Sequence, residues 1–110
     1  RINGEELEWR FWDGNRAGVE KINGIYEPTG ELFTDLSRID SVIVPALAID
    51  HTGNRLGKGK GFYDRALASI DAFTIALIYS NEYSSTALPR EPLDIKIKAA
   101  LTPERLYRFS

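Results

Sequence analysis

Residues 55–65 read Arg-Leu-Gly-Lys-Gly-Lys-Gly-Phe-Tyr-Asp-Arg, the densest chemistry in the chain. Gly57, Gly59 and Gly61 alternate with Lys58 and Lys60. Glycine lets the backbone adopt positive φ and approach a ligand closely. Successive amides in such a stretch can turn inward as an anion nest. The helix-like pattern that follows would add the partial positive charge of its N-terminus. With the charges of Lys58 and Lys60, these parts suit a polyphosphate. A solvated glycine-lysine turn is the plain alternative. The stretch is not a P-loop, because Gly53 to Gly59 has the wrong spacing and no Ser or Thr follows the lysine. Nor is it a dinucleotide fingerprint, since the glycines run G-x-G-x-G. The adjacent aromatics Phe62 and Tyr63 argue against a disordered linker. Asp64 can be read as an acid placed favourably in the first helical turn.

The elements that must position this loop alternate between strand and helix. Leu7–Trp12 alternates apolar and polar residues and predicts a half-buried strand, ended by the turn signal Asp13-Gly14-Asn15. Residues 16–26 have mixed patterning. Glu27–Gly30 predicts a loop, and Thr34–Asp40 a short polar connection with room for one helical turn. Ser41–Asp50 is an apolar run of the kind found in central parallel strands. Pro45 cannot donate to a ladder, so the strand should end or bulge there, with Ala46–Asp50 leading into the turn Asp50-His51-Thr52-Gly53-Asn54. Phe62, Ala66, Leu67 and Ile70 fall at helical spacing, predicting a helix over 62–69. Ala72–Tyr79 reads as a buried strand, Asn81–Pro92 as a surface loop, Ile95–Ala99 as a short strand, and Leu106–Phe109 as an edge strand.

Composition bounds the function. A chain of 110 residues fits one small domain or part of a larger one. Fourteen basic and sixteen acidic side chains give a net charge of −2, so no nucleic-acid or membrane field is expected. Cysteine is absent, which removes disulfides, thiol catalysis and cysteine zinc sites. No apolar run is long enough to span a bilayer and no secretory segment opens the sequence. A cytoplasmic protein is the expectation. The chain opens at Arg1 and contains no methionine, as a sequence cut into an existing fold would. One histidine, no cysteine and no G-x-S-x-G leave a nucleophilic triad without support.

Val44–Asp50 followed by Gly53–Arg65 closely resembles the 5-formyltetrahydrofolate cyclo-ligase family, also called methenyltetrahydrofolate synthetases. Gly24-Ile25-Tyr26-Glu27-Pro28 looks like the family's G-I-x-E-P. Ile75-Ala76-Leu77, Leu88-Pro89, Asp94 and Leu101-Thr102-Pro103 match later segments in order. The resemblance covers nearly the whole chain. Family members are longer, so the chain resembles their C-terminal part. The part not represented carries a basic helix that contacts nucleotide, and residues that hold the folate.

The resemblance implies an α/β fold, a Rossmann-like layered and mostly parallel sheet of the sugar-isomerase and CoA-transferase type. It implies that 5-formyltetrahydrofolate and ATP, with Mg²⁺, give 5,10-methenyltetrahydrofolate, ADP and phosphate. The formyl oxygen is phosphorylated, N10 attacks the activated carbon, and phosphate leaves as the ring closes. ATP would be held along Arg55, Leu56, Gly57, Lys58, Gly59, Lys60, Gly61, Phe62 and Tyr63, with Lys58 and Lys60 as the catalytic cations. Lys58 to Phe62 would also border the folate. Asp64 and Asp94 would hold the metal. Leu93 stands where many members have histidine, which removes a polar neighbour of Asp94. Glu27 is a weaker carry-over near substrate. Trp9, Phe11 and Trp12 are either core or a wall for the pterin.

Two other classes are open on sequence: a non-catalytic nucleotide- or folate-binding relative, and a structural or RNA-associated domain that shares the fold. The balanced charge counts against the second. The 110-residue chain by itself is expected to be inactive, with exposed apolar sheet surface that promotes self-association.

Overall fold

A computed structural model of the chain describes residues 1–4, 6–57, 61–89 and 95–109. Lys58, Gly59, Lys60 and Asp94 lie outside the described residues. The chain divides into two compact units, Arg1–Leu36 and Ser37–Ser110.

In the first unit, β1 (Ile2–Asn3) and β2 (Glu6–Leu7) pair antiparallel. β3 (Val19–Ile22) and β4 (Ile25–Pro28) form a hairpin in the stretch whose patterning was mixed. Its turn is Asn23-Gly24, with φ of 50° and 81°. Positive φ at both central residues is what a two-residue turn needs to match strand twist. The strand expected over Leu7–Trp12 is reduced to β2 and one bridge, Arg10 to Leu32. The remaining backbone bonds run sideways to one short segment, Phe11 to Glu31 and Phe33 to Trp9, and Trp12 is 57% exposed. Glu27-Pro28, expected in a loop, instead closes β4, and the chain leaves the ladder at Thr29. The buried Glu27 carboxylate accepts the Ile2 amide at 3.3 Å.

The second unit begins with β5 (Ser41–Val44), β6 (Ala48–Asp50) and β7 (Arg55–Leu56). Then come α1 (Phe62–Leu67), β8 (Phe73–Leu77), β9 (Tyr83–Ser84), β10 (Ala99–Leu101) and β11 (Leu106–Arg108). One sheet has the order β11-β10-β8-β5, with β5, β8 and β10 parallel and β11 antiparallel at the edge. The other has the order β7-β6-β9. Pro45 ends β5 as expected. The segment after it is not only a lead into the turn, however, because Ala48–Asp50 re-forms as a strand of the second sheet. Ile49 and Asp50 there are 0% exposed.

Registration fixes two faces on the first sheet. Val42 and Thr74 are paired, as are Val44, Ala76 and Ala100, and all five are buried. Burying a valine-sized side chain contributes about 1.5–3 kcal/mol over leaving it exposed. The opposite face carries Ile43, Phe73, Leu77, Leu101 and Leu106, all exposed. Parallel sheets ordinarily have both faces covered, so this face is the apolar sheet surface foreseen from the sequence.

Three expected elements are shifted or shortened, among them the strand expected over Ala72–Tyr79, which spans only Phe73–Leu77. The helix ends at Leu67 rather than Ser69. The strand expected over Ile95–Ala99 starts only at Ala99. The amides before it are spent elsewhere: Ile95 donates to the Asp64 carboxylate, Ile97 to the Gly53 carbonyl and Lys98 to the Thr74 hydroxyl. A residue that gives its N–H to a loop or side chain cannot also give it to a ladder. The loop expected over Asn81–Pro92 contains β9.

Candidate functional site

The glycine-rich loop leaves β7, and β7 is set at the carboxyl end of β5. Leu47 donates to the Leu56 carbonyl at 2.8 Å, and Ile49 pairs with Arg55. Arg55 Nη1 donates to the Pro45 carbonyl at 2.9 Å, one residue beyond the end of β5. Ligands of open α/β sheets collect at this end of the strands.

Arg55 is turned into the protein. Its side chain is only 8% exposed, its guanidinium carbon lies 5.6 Å from the Tyr63 ring centroid, and Nη2 is 3.8 Å from Asp64 Oδ2. Buried Arg55 Nε has no hydrogen-bond partner among the described residues. Gly57 makes room for this packing, since a Cβ there would meet Arg55 Nη1 at 2.7 Å. Gly61, at φ 70°, takes the left-handed conformation and starts α1. At six residues α1 has little dipole to offer.

Asp64 faces two ways from the first turn of α1. Oδ1 accepts the Ile95 amide at 3.1 Å, and Oδ2 meets Arg55 at an ion-pair distance too long for a hydrogen bond. Ile95 directly follows Asp94, so the described chain resumes at Asp64 one residue after the other expected metal ligand. Burial pushes the Tyr63 hydroxyl above its ordinary pKa, and the charge of Arg55 opposes that rise.

Of the residues singled out in the sequence, Arg55, Gly57, Tyr63 and Asp64 form one cluster, joined in sequence to Leu56, Gly61 and Phe62. Lys58, Gly59, Lys60 and Asp94 are outside the described residues, as is Leu93. Glu27, Trp9, Phe11 and Trp12 belong to the first unit. His51 is exposed, as a solvated turn residue should be. No group of three or more metal-binding side chains gathers among the described residues. Magnesium does not need one, being held by one or two carboxylates together with substrate phosphates.

Sequence reasoning passed over Asp50, which it read as plain turn chemistry. Its side chain is 0% exposed and accepts five hydrogen bonds. Burial alone would raise its pKa. The Leu88 amide, the Thr52 hydroxyl and amide, and the Asn54 side chain outweigh burial and hold the carboxyl well below the usual carboxylate range. The signal was Asp followed by Thr and Asn two and four residues on, an Asx-turn pattern.

Known proteins are similar to this chain over most of its length. The family model for 5-formyltetrahydrofolate cyclo-ligases matches residues 4–103. A 5-formyltetrahydrofolate cyclo-ligase of Mycolicibacterium smegmatis is 43% identical over 104 residues, covering 90% of this chain and 52% of the relative. One from Escherichia coli K12 is 38% identical over 89 residues, covering 77% and 49%. The solution structure of Aquifex aeolicus 5,10-methenyltetrahydrofolate synthetase superposes with a TM-score of 0.80 at 31% identity, over 98% of this chain and 55% of that one. The chain thus spans about half the length of the curated relatives it matches. Within that span the mixed α/β arrangement and the loop at the end of β5 accompany a family match that runs from Gly4 to Pro103, and on this the chain belongs to the 5-formyltetrahydrofolate cyclo-ligase family.

Proposed function

We propose that the chain supplies the nucleotide- and metal-holding part of a ligase that uses ATP and Mg²⁺ to close 5-formyltetrahydrofolate into 5,10-methenyltetrahydrofolate, releasing ADP and phosphate. The single observation that carries this reading is the Asp64 carboxylate. It stands just beyond the glycine loop and is bonded to the amide that follows Asp94. In the same reading β5, β8 and β10 are the parallel strands of a Rossmann-like sheet of the sugar-isomerase and CoA-transferase type, in a cytoplasmic enzyme.

The donor set suits the metal. Asp64 offers carboxylate oxygens, is 20% exposed, and holds its Oδ2 3.8 Å from Arg55 Nη2. Asp64 and Asp94 would hold Mg²⁺, which when bound neutralises phosphate charge. Phosphoryl transfer asks for positioning and electrostatics more than for a covalent protein group. Lys58 and Lys60 would meet the phosphate oxygens, with the amides of Gly57, Gly59 and Gly61 alongside. Lys58 to Phe62 would border the formyl group, because it must meet the γ-phosphate. Arg55, Leu56 and Tyr63 complete the nucleotide run. Arg55, already bonded to Pro45 and facing Asp64, would hold the metal-binding carboxylate in place.

Titration calorimetry with Mg-ATP tests the reading on the chain itself. Heat of binding is expected, with no near-ultraviolet absorbance from the methenyl product when 5-formyltetrahydrofolate is added. A heatless titration of a full-length ligase carrying this sequence would overturn the nucleotide site, and robust turnover by the chain alone would overturn its expected inactivity. In a full-length ligase carrying this sequence, binding without product would favour a non-catalytic relative.

Lys60→Ala in that ligase should lower kcat/KM for ATP by about 1–3 kcal/mol, the scale of a lost charge-assisted contact. Initial rates at subsaturating ATP give the measurement. An unchanged rate would remove Lys60 from the phosphate cradle.

A further inference from the structure

We infer that Asp50 is a positioning residue, locking the turn that launches Arg55 to the segment that returns at Leu88. Its purpose rests on the ligase reading above, but the lock itself is read from geometry.

The two carboxylate oxygens have different tasks. Oδ1 stays within the turn, accepting the Thr52 amide at 2.9 Å, the Thr52 hydroxyl at 2.8 Å and the Asn54 amide at 3.0 Å. Oδ2 accepts the Asn54 side-chain amide at 2.9 Å and the Leu88 amide, 38 residues away in sequence, also at 2.9 Å. The backbone of Asp50 adds to this. It pairs with Ser84 in the β6–β9 ladder, and its amide donates to the Asn54 carbonyl at 3.0 Å. Asn54 is covalently joined to Arg55, which faces Asp64. One fully buried carboxylate therefore registers three stretches: β6, the start of the glycine loop, and the 84–88 segment.

No described cation pairs with Asp50. Among the described residues the buried charge is met by hydrogen-bond donors alone, and enough of them converge to retain it. An acid is also not interchangeable with an amide here. Asparagine at position 50 can keep the three Oδ1 bonds, and a flip of the Asn54 amide can turn its unpartnered Oδ1 to the new NH₂, but that NH₂ must still confront the Leu88 N–H, donor against donor. Asp50→Asn accordingly cuts the long-range link and spares the local turn.

The test compares the native chain with Asp50→Asn, reading thermal midpoint, residue-resolved amide exchange and Mg-ADP affinity. Expected are loss of exchange protection at Leu88, retained protection at Thr52 and Asn54, and Mg-ADP affinity about tenfold weaker, since small displacements of a binding constellation are costly. Val42→Ala, a core truncation toward the amino end of β5, away from the end that meets Arg55, serves as the control: it should lower the thermal midpoint with affinity within about twofold of native. If Asp50→Asn does not fold, Leu88→Pro removes the same bond from the donor side, at a position already biased to extended backbone by Pro89. Affinity within about twofold of native in a folded variant of either kind would overturn the inference, as would an equal loss in Val42→Ala. If a full-length ligase carrying this sequence holds no nucleotide, the ligase reading fails instead. The lock is then decided by exchange alone, with Leu88 unprotected in Asp50→Asn supporting it and Leu88 still protected overturning it.

Discussion

Asp64→Asn in a full-length ligase carrying this sequence should lower kcat/KM for Mg-ATP by about a hundredfold or more, roughly 2.7 kcal/mol. The substitution keeps the shape of the side chain and the acceptor for the Ile95 amide. It removes the charge and turns an NH₂ toward Arg55, whose side chain is only 8% exposed. Two losses are combined in that change, and they can be separated. The Arg55 contact is long at 3.8 Å and Asp64 is 20% exposed, so solvent screens it. Its removal should cost about 1 kcal/mol of stability, read as a modest fall in thermal midpoint. The remaining loss belongs to the metal, since a neutral amide is a poor ligand for a hard cation. Raising Mg²⁺ should therefore recover part of the activity, and Mn²⁺ binding followed by electron paramagnetic resonance should weaken in parallel. Activity unchanged across an Mg²⁺ titration, with only the thermal midpoint lowered, would make Asp64 the anchor of Arg55 and nothing more.

Much of this cluster was legible in the sequence because its signals are local. Three glycines alternating with two lysines, then two aromatics and an acid, report a loop and the helix that follows without reference to any distant residue. The strand end at Pro45 within the apolar run Ser41–Asp50, and the strand expected over Ala72–Tyr79 and found at Phe73–Leu77, were legible for the same reason. What failed was nonlocal. The second strand, Ala48–Asp50, exists because Leu56 and Tyr83 bring partners to its two edges, and no periodicity within three residues could announce that. Ile95–Lys98 alternates as a strand should, yet each amide bonded there goes to Asp64, Gly53 or Thr74. Asp50 was mistaken for ordinary turn chemistry because its most consequential partner is Leu88. In the first unit the miss was of another kind. Asn23-Gly24 is a strong hairpin signal, and it was overlooked among residues whose patterning is mixed.

Gly53→Ala should destabilise the chain by about 2–5 kcal/mol, which sums the strain of a left-handed residue with overpacking against rigid backbone. Gly53 is buried at φ 89°, and its missing Cβ would stand 2.5 Å from the Ile97 carbonyl oxygen and 3.2 Å from a Phe109 ring carbon. Neither strain can be relieved separately. The Gly53 carbonyl accepts the Ile97 amide at 2.8 Å while its own amide donates to the Asp50 carbonyl at 3.1 Å, so rotating φ breaks one bond and shifting Ile97 breaks the other. Gly24→Ala gives the internal scale, because Gly24 has φ 81° but nothing within 4 Å of a Cβ. It should cost only the backbone strain, about 1–2 kcal/mol. Chemical denaturation of both variants measures the difference. A Gly53→Ala cost no larger than that of Gly24→Ala would mean that the approach of Gly53 to Ile97 is not tight in solution. The approach matters beyond stability, because Ile97 lies two residues after the amide that bonds Asp64. A chain that yields at Gly53 displaces Ile97, and with it the Ile95 amide on which the Asp64 carboxylate is seated. Loss of stability in Gly53→Ala should therefore be accompanied by weaker Mg-nucleotide binding in the fraction that remains folded, whereas Gly24→Ala should leave that binding unchanged.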